Sequence, residues 1–529
     1  MKMVKSLILG SAAGLLVMGG AQAADLPVKA KAVEYVRICS LYGAGFWYIP
    51  GTDTCLKLGG YLRVDVVANT NSDDSGNVAG VAGLHNRFSN AYTWRSREDF
   101  NMDTRTATEY GVLRTFADLT FSWTSGTYTP TTAGTFYENV GGGANTSYAN
   151  NGSAGAVAGG TVGVYYAFIQ FAGFTIGKAI STFSAPWTNY PGNNFDGLVG
   201  GGGTVTGVNQ FTYTAQFGNG VSASISAQDP TQYYQAGIVN TSLASAASFI
   251  NGSLGATAFG GTSFPDIVGV VKVDQAWGVF QASVAAHNNH VGYYSGYTGP
   301  LGELAGHPDD KWGWAGQLAL SVLTPFLGAG DVINVQGVYT NGASRYNLQD
   351  LSCCGVVANY GTSGLAGVYQ SFGVGITTDA IFRGFQTGTT GSTQQQLTQT
   401  WGMRGGYTHN WNPYWNTSIY GAYAAVTYNG VAKDLICGPG GVFQNLSPSQ
   451  RAAVTTCNPD FNIAQAGIIT RWTPVKNLTF SADFTWIHLD QKNAGVVTQV
   501  QPTVSKPLAN YELKDQDGLV LLLRAQRNW

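Results

Sequence analysis

Apolar and polar residues alternate with a period of two in segments spread along the 529-residue chain. In LKLGGYLRVDVV, 56–67, Leu56, Leu58, Leu62, Val64 and Val66 fall on one face, and Lys57, Tyr61, Arg63 and Asp65 on the other. That is a strand with one oily and one wet face. LTFSADFTWI, 478–487, repeats the pattern. Such segments pair around short turns: QFTYTAQ and VSASISAQ flank FGNG, IVGVVKVD and VFQASVAA flank QAWG, YYAFIQF and FTIGK flank AG. An Asn-Gly turn between alternating segments is a strong hairpin signal. Strands are predicted at 56–67, 90–99, 110–123, 162–171, 174–179, 205–216, 221–228, 267–275, 279–287, 312–323, 331–340, 395–408, 415–428, 461–472, 478–487 and 518–529.

Between the hairpins lie long segments rich in Gly, Asn, Ser and Thr: 124–160, 180–204, 229–265, 288–310, 341–394, 429–460 and 488–516. Alternating short and long connections mark an all-β, closed antiparallel transmembrane β-barrel with short periplasmic turns and long extracellular loops. In lipid the sheet must close, because an open edge leaves backbone groups unpaired. About sixteen strands enclose an aqueous lumen. Tryptophans fit two interfacial girdles: Trp277, Trp411, Trp415 and Trp472 beside short turns, and Trp123, Trp312, Trp314 and Trp486 at the opposite strand ends, with Trp94 mid-strand as the exception. The last segment, GLVLLLRAQRNW, reads as the closing strand, with Leu519, Leu521, Leu523, Ala525 and Trp529 toward lipid and Arg527 breaking that face near its end.

Composition sharpens this. Lys2 and Lys5, the apolar run Leu7–Met18 and Ala21-Gln22-Ala23 have the order of a secretory signal peptide over 1–23, cleaved at about Ala23–Ala24. No later run is long enough for a spanning helix. Charged residues are 11%, against about 25% in ordinary globular domains. The net charge of −2 offers nothing to nucleic acid. Six cysteines in an exported chain suggest disulfides, with Cys39–Cys55 and Cys437–Cys457 each closing a short loop. Adjacent Cys353 and Cys354 are harder to assign. His287, His290, His307, Asp309 and Asp310 bracket one segment and have metal-ligand chemistry, but loop polarity explains them, so no metal and no cofactor is expected. Nothing points to a catalytic Ser–His pair, so no enzyme is expected.

The stretch AVEYVRICSLYGAGFWYIPGTDTCLKLGGYLRVDV, 32–66, resembles the opening of the alphaproteobacterial general porins. PDIVGVVKVDQAWGVF (265–280), VYYAFIQFAGFTIG (164–177) and the terminal AQRNW are similar to the same family. The resemblance implies a 16-stranded outer-membrane barrel, a homotrimer in outer-membrane lipid and lipopolysaccharide, through which small hydrophilic solutes and ions diffuse passively. It implies a Cys39–Cys55 bridge clipping the lead-in 24–55 to a barrel over 56–529, and a terminal aromatic, Trp529, read by the insertion machinery. It also implies that the third long loop, about 180–204, folds inward as a constriction. That loop carries Trp187 and a single carboxylate, Asp196.

Facing it, Arg63, Arg95, Arg97 and Arg114, with Lys178 and Lys57, are the expected lumen cations. Fixed cations opposite loop carboxylates create a transverse field. If they are unbalanced, mild anion preference follows. If Arg95 and Arg97 pair with Glu98, Asp99 or Glu109, they set nothing. Two alternatives remain: a substrate-specific channel, for sugars for example, using Phe46, Trp47, Tyr61 and Trp187, and a surface or adhesion barrel acting through its enlarged loops.

Overall fold

A computed structural model describes residues 37–69, 92–124, 161–187, 190–194, 197–203, 206–231, 233–244, 258–296, 301–349, 356–362, 370–384, 391–500 and 508–529. The segment 1–23, expected from the sequence to be a signal peptide, residues 24–36, Asp196, Cys353 and Cys354 lie outside the described residues. Sixteen antiparallel strands form one closed sheet. They are β1 (Cys55–Asn69), β2 (Tyr92–Thr108), β3 (Gly111–Thr124), β4 (Thr161–Phe171), β5 (Phe174–Ala179), β6 (Val208–Gly218), β7 (Val221–Gln228) and β8 (Asp266–Gln275). The second half comprises β9 (Gly278–Asn289), β10 (Lys311–Leu323), β11 (Val332–Asn341), β12 (Gln399–Asn412), β13 (Trp415–Thr427), β14 (Phe461–Val475), β15 (Leu478–Gln491) and β16 (Gln516–Asn528). Each strand pairs with its neighbour in sequence, and β16 pairs with both β15 and β1. That last ladder removes both edges, which a sheet in lipid requires.

The period of two sets the two faces. Leu519, Leu521 and Leu523 are exposed on the outside, while Val520 and Leu522 are buried inside. The Asn-Gly turn between β6 and β7 has both residues at positive φ, 48° and 73°, as a tight hairpin demands. Trp277, Trp411, Trp415, Trp472 and Trp529 ring the short-turn end, and Trp123, Trp312, Trp314, Trp401 and Trp486 the other, all exposed. Trp94 joins the second ring, because β2 begins at Tyr92 and places it near a strand end.

Strand β2 also runs nine residues past the predicted end at Asp99, to Thr108. Its inward positions there are Asn101, Asp103 and Arg105, and its outward ones include Thr104 and Thr106, so the apolar alternation is thin.

The enlarged loops are not irregular. Val356–Thr362 and Gln370–Ile376 from the β11–β12 loop, Ala453–Thr456 from the β13–β14 loop, and Ala494–Val500 and Ala509–Leu513 from the β15–β16 loop form a five-stranded sheet. A three-stranded sheet joins Ile238–Asn240 to Ala380–Phe382 and Gln396–Leu397. Phe372, Val374, Leu435, Phe443, Val497 and Tyr511 of these loops share one apolar core with inward-facing Val426, Ile463, Ile487, Leu489, Val520 and Leu522 of the wall. On that side the upper barrel is therefore apolar on both faces. Disulfides join Cys39 to Cys55 and Cys437 to Cys457. The first holds residues 37–54 against the inner, short-turn end of β1, where the Arg105 guanidinium lies 5.0 Å over the Phe46 ring.

Candidate functional site

The loop between β5 and β6 turns into the barrel and follows its wall. Gln281 donates from Nε2 to the carbonyls of Thr182 and Ser184, at 3.1 and 2.8 Å, and Gln317 to that of Phe183 at 2.8 Å. Farther on, Asn334 donates to Pro191 O at 2.6 Å and Arg471 to Gly192 O at 2.7 Å. Asn194 donates its backbone N–H to Asp483 at 2.6 Å and its amide to Ser481 at 2.8 Å. The return leg is held by Gln465, which accepts from Val199 N–H at 2.8 Å, and by Arg404, which donates to Leu198 O at 3.2 Å.

A buried guanidinium needs acceptors, and Arg404 finds them in loop carbonyls and in Gln336 at 2.9 Å. These contacts run from β9 round to β15. They leave β16, β1, β2, β3 and β4 as the wall that this loop does not touch through any of them.

That wall carries the charge. Alternation and register bring Arg524, Arg63, Asp65, Arg95, Arg97, Asp99, Asp103, Arg105, Arg114 and Asp118 to its inner face. Asp65, wholly buried, accepts from Arg95 Nε at 3.0 Å on one oxygen and from Arg524 Nε at 2.6 Å on the other. Asp103 is shared likewise, by Arg105 and Arg114, at 2.9 and 3.0 Å. Each trio keeps one net positive charge. Arg63 donates to Gln526 at 2.8 Å and stacks 4.3 Å from the Tyr61 ring. Arg97 donates to Ser122 at 2.8 Å and to the Tyr165 hydroxyl at 2.6 Å.

The sequence matches the porin subfamily over residues 25–522. The chain belongs to that porin family. Porin Omp2b of Brucella abortus (strain 2308) is 32% identical over 321 residues, 60% of this chain and 79% of that protein. Porin Omp2b of Brucella canis (strain ATCC 23365) is 31% identical over 325 residues, with the same shares. Among solved structures, the outer membrane channel DcaP of Acinetobacter baumannii superposes with a TM-score of 0.51 at 15% identity, covering 91% of this chain and 99% of that one. That likeness supports the barrel fold. The porin is an outer-membrane channel for passive diffusion of small hydrophilic solutes.

Of the residues singled out in the porin's sequence, Arg63, Arg95, Arg97 and Arg114 come together on the inner wall. Arg95 pairs with Asp65, and Arg97 with neutral partners, rather than with Glu98, Asp99 or Glu109. Trp187 is half-buried on the inward loop.

Lys178 is not in the lumen. It shares a strand face with Phe174 and Ile176, both exposed outward, and reaches the Val164 carbonyl at 2.6 Å. A long aliphatic stem lets such a group lie along an apolar face and seek a polar anchor. Arg527 does the same at the other end, reaching the Lys476 carbonyl in the β14–β15 turn.

The histidines of the porin point to separate partners. His287, wholly buried, has Asp266 at 2.8 Å on Nδ1 and Asp379 at 3.5 Å on Nε2, whereas His290 bonds Asp310 at 2.8 Å. Tyr346 donates to the other Asp266 oxygen at 2.6 Å. Burial and that carboxylate push its hydroxyl well above the usual tyrosine range, so it stays a donor.

Sequence reasoning did not single out Arg524, Arg404, Arg471, Asp65 and the glutamines as site residues. Their one sequence signal was an inward strand position. The glutamine amides Gln281 and Gln317 gave no charge to notice.

Proposed function

We propose that the porin's permeation route runs between the inward loop 180–207 and the basic wall of β16, β1, β2 and β3, and that it favours anions. The carrying observation is the charge on that wall: inward-facing Arg63, Arg95, Arg97, Arg105, Arg114, Arg524 and Lys57 outnumber Asp65, Asp99, Asp103 and Asp118. A lumen lined by one excess sign concentrates the opposite ion. The test is single-channel recording in a planar bilayer under a KCl gradient. A reversal potential on the chloride side supports the reading, and one on the potassium side overturns it.

The assembly read here is a homotrimer, reached after a signal peptide is removed at about Ala23–Ala24. Glu98 supports a protein-covered outer face. It lies on the outward side of β2 opposite Leu62, with the Trp529 indole N–H 3.2 Å from its carboxylate. A carboxylate on a lipid-facing position would be unfavourable. Unheated electrophoresis and cross-linking would show a species of three chains.

A further inference from the structure

We infer that Arg63 and Arg97 form a binding subsite for a phosphate group, carried through the channel as inorganic phosphate or on a small phosphorylated solute; this rests on the anion-favouring reading above. The two residues are direct cross-strand partners on β1 and β2. Side chains at such positions stand close, and like charges placed opposite one another are destabilising. Two guanidiniums held this way need a compensating anion.

The protein does not supply one among the described residues: no carboxylate lies within ion-pairing distance of either. Asp65 is taken by Arg95 and Arg524. Asp99, the next inward residue of β2, feels the charges of Arg63 and Arg97 at longer range but forms no ion pair with either, and it shares a hydrogen bond with Asp118 and accepts from Asn101 at 3.5 Å.

The donors left over have the right form. Arg63 uses Nε on Gln526, and Arg97 uses Nε on Ser122 and Nη1 on Tyr165. Among the described residues, the remaining terminal N–H groups have no protein acceptor. Both forks are also held in place, Arg63 by the Tyr61 ring at 4.3 Å and Arg97 by the Tyr165 ring at 5.4 Å. Held guanidinium forks match the oxygens of phosphate in pairs. A tetrahedral dianion has enough oxygens to engage both forks, whereas a carboxylate fills one. Arg524, on the strand beside β1, spends its Nε on Asp65 and adds positive field from the flank.

The experiment measures current through the full-length porin in symmetrical KCl while inorganic phosphate, glycerol phosphate or succinate is added. Saturable block by inorganic phosphate, glycerol phosphate or both supports the subsite, and which of them blocks separates the free ion from the esterified source. Arg63→Gln should raise the half-blocking concentration by about tenfold or more, as expected for loss of a charged hydrogen-bonding fork.

Arg97→Lys is the sharper variant. It keeps the charge, hence the reversal potential, but loses the fork, so block should weaken by about tenfold. Heat-modifiable migration on unheated gels like that of the parent porin shows that each variant is folded. Block by succinate alone, no block by either phosphate, or unchanged block in Arg97→Lys would overturn the subsite. A chloride-side reversal potential in the same channels would leave the anion reading standing, and a potassium-side one would remove both.

Discussion

Asp65 and Arg524 meet at 2.6 Å across the ladder that joins the first strand of the barrel to the last. The carboxylate is wholly buried and the guanidinium nearly so. Because Arg95 binds the other oxygen, one negative charge holds two cations. Asp65→Asn keeps the shape and removes the charge. Stranding buried charges costs about 3 kcal/mol. The temperature at which the folded band is lost on gels should fall, and the reversal potential should move farther toward chloride. If neither changes, the trio contributes nothing to closure or selectivity.

Gly200 sits at φ 86°, and a Cβ there would lie 2.3 Å from the backbone of Met403 on β12. The inward loop can approach the wall this closely only without a side chain. Gly200→Val should lift the return leg away from Arg404 and Gln465 while leaving the barrel ladders intact. The expected result is a noisier current with altered step size and an unchanged barrel melting temperature. Steps identical to the parent channel would mean that this leg does not shape the passage.

The Cys437–Cys457 bridge closes a 20-residue separation within the β13–β14 loop. Closing a loop of that size restrains the unfolded chain by about 3 kcal/mol. Replacing both cysteines by serine should let protease cut the β13–β14 loop while ion conduction persists, since the bridge lies outside the barrel ladders. Loss of all conduction would show instead that this loop supports the barrel itself.

Asp331, in the β10–β11 turn, gives a pH dependence with a definite sign. Burial alone would raise its carboxyl, but the Tyr407 hydroxyl at 2.7 Å, the Asn410 N–H at 2.9 Å and His409 at 2.7 Å override it and hold the group at about 2. A depressed acid stabilises the fold above its unfolded value of 3.8, and that contribution disappears as the pH falls toward 2. The short-turn end should therefore lose protection from amide exchange between pH 4 and pH 2, and Asp331→Asn should flatten the change across that interval. An unaltered acid profile in the variant would remove this group from the account.

The outer face of the barrel was legible because lipid imposes a local rule, apolar at every second residue, that needs no knowledge of partners. Leu519, Leu521 and Leu523 obey it without exception. The inner wall was half legible. Arg63 and Arg97 announced themselves as polar-face cations, but their pairing did not: Asp65 and Arg524 are 459 residues apart, and only closure brings them together. Lys178 was misread because charge was taken as a sign of the wet face, although its own strand, FTIGKA, puts it in phase with Phe174 and Ile176. The folded loops were illegible for another reason. Strands as short as Ala453–Thr456 and Ala509–Leu513 carry too few residues to show a period, and their partners come from other loops.

The loop sheet built from three separate connections bears on how the cell is seen from outside. Val356–Thr362, Ala453–Thr456 and Ala494–Val500 are neighbours only in the finished molecule, with well over a hundred residues between the first and the last. A linear peptide copied from any one loop would not reproduce the face they make together. An immune receptor or a bacteriophage that grips this face would thus distinguish folded porin from its fragments. A vaccine intended to elicit such recognition would have to present the intact barrel.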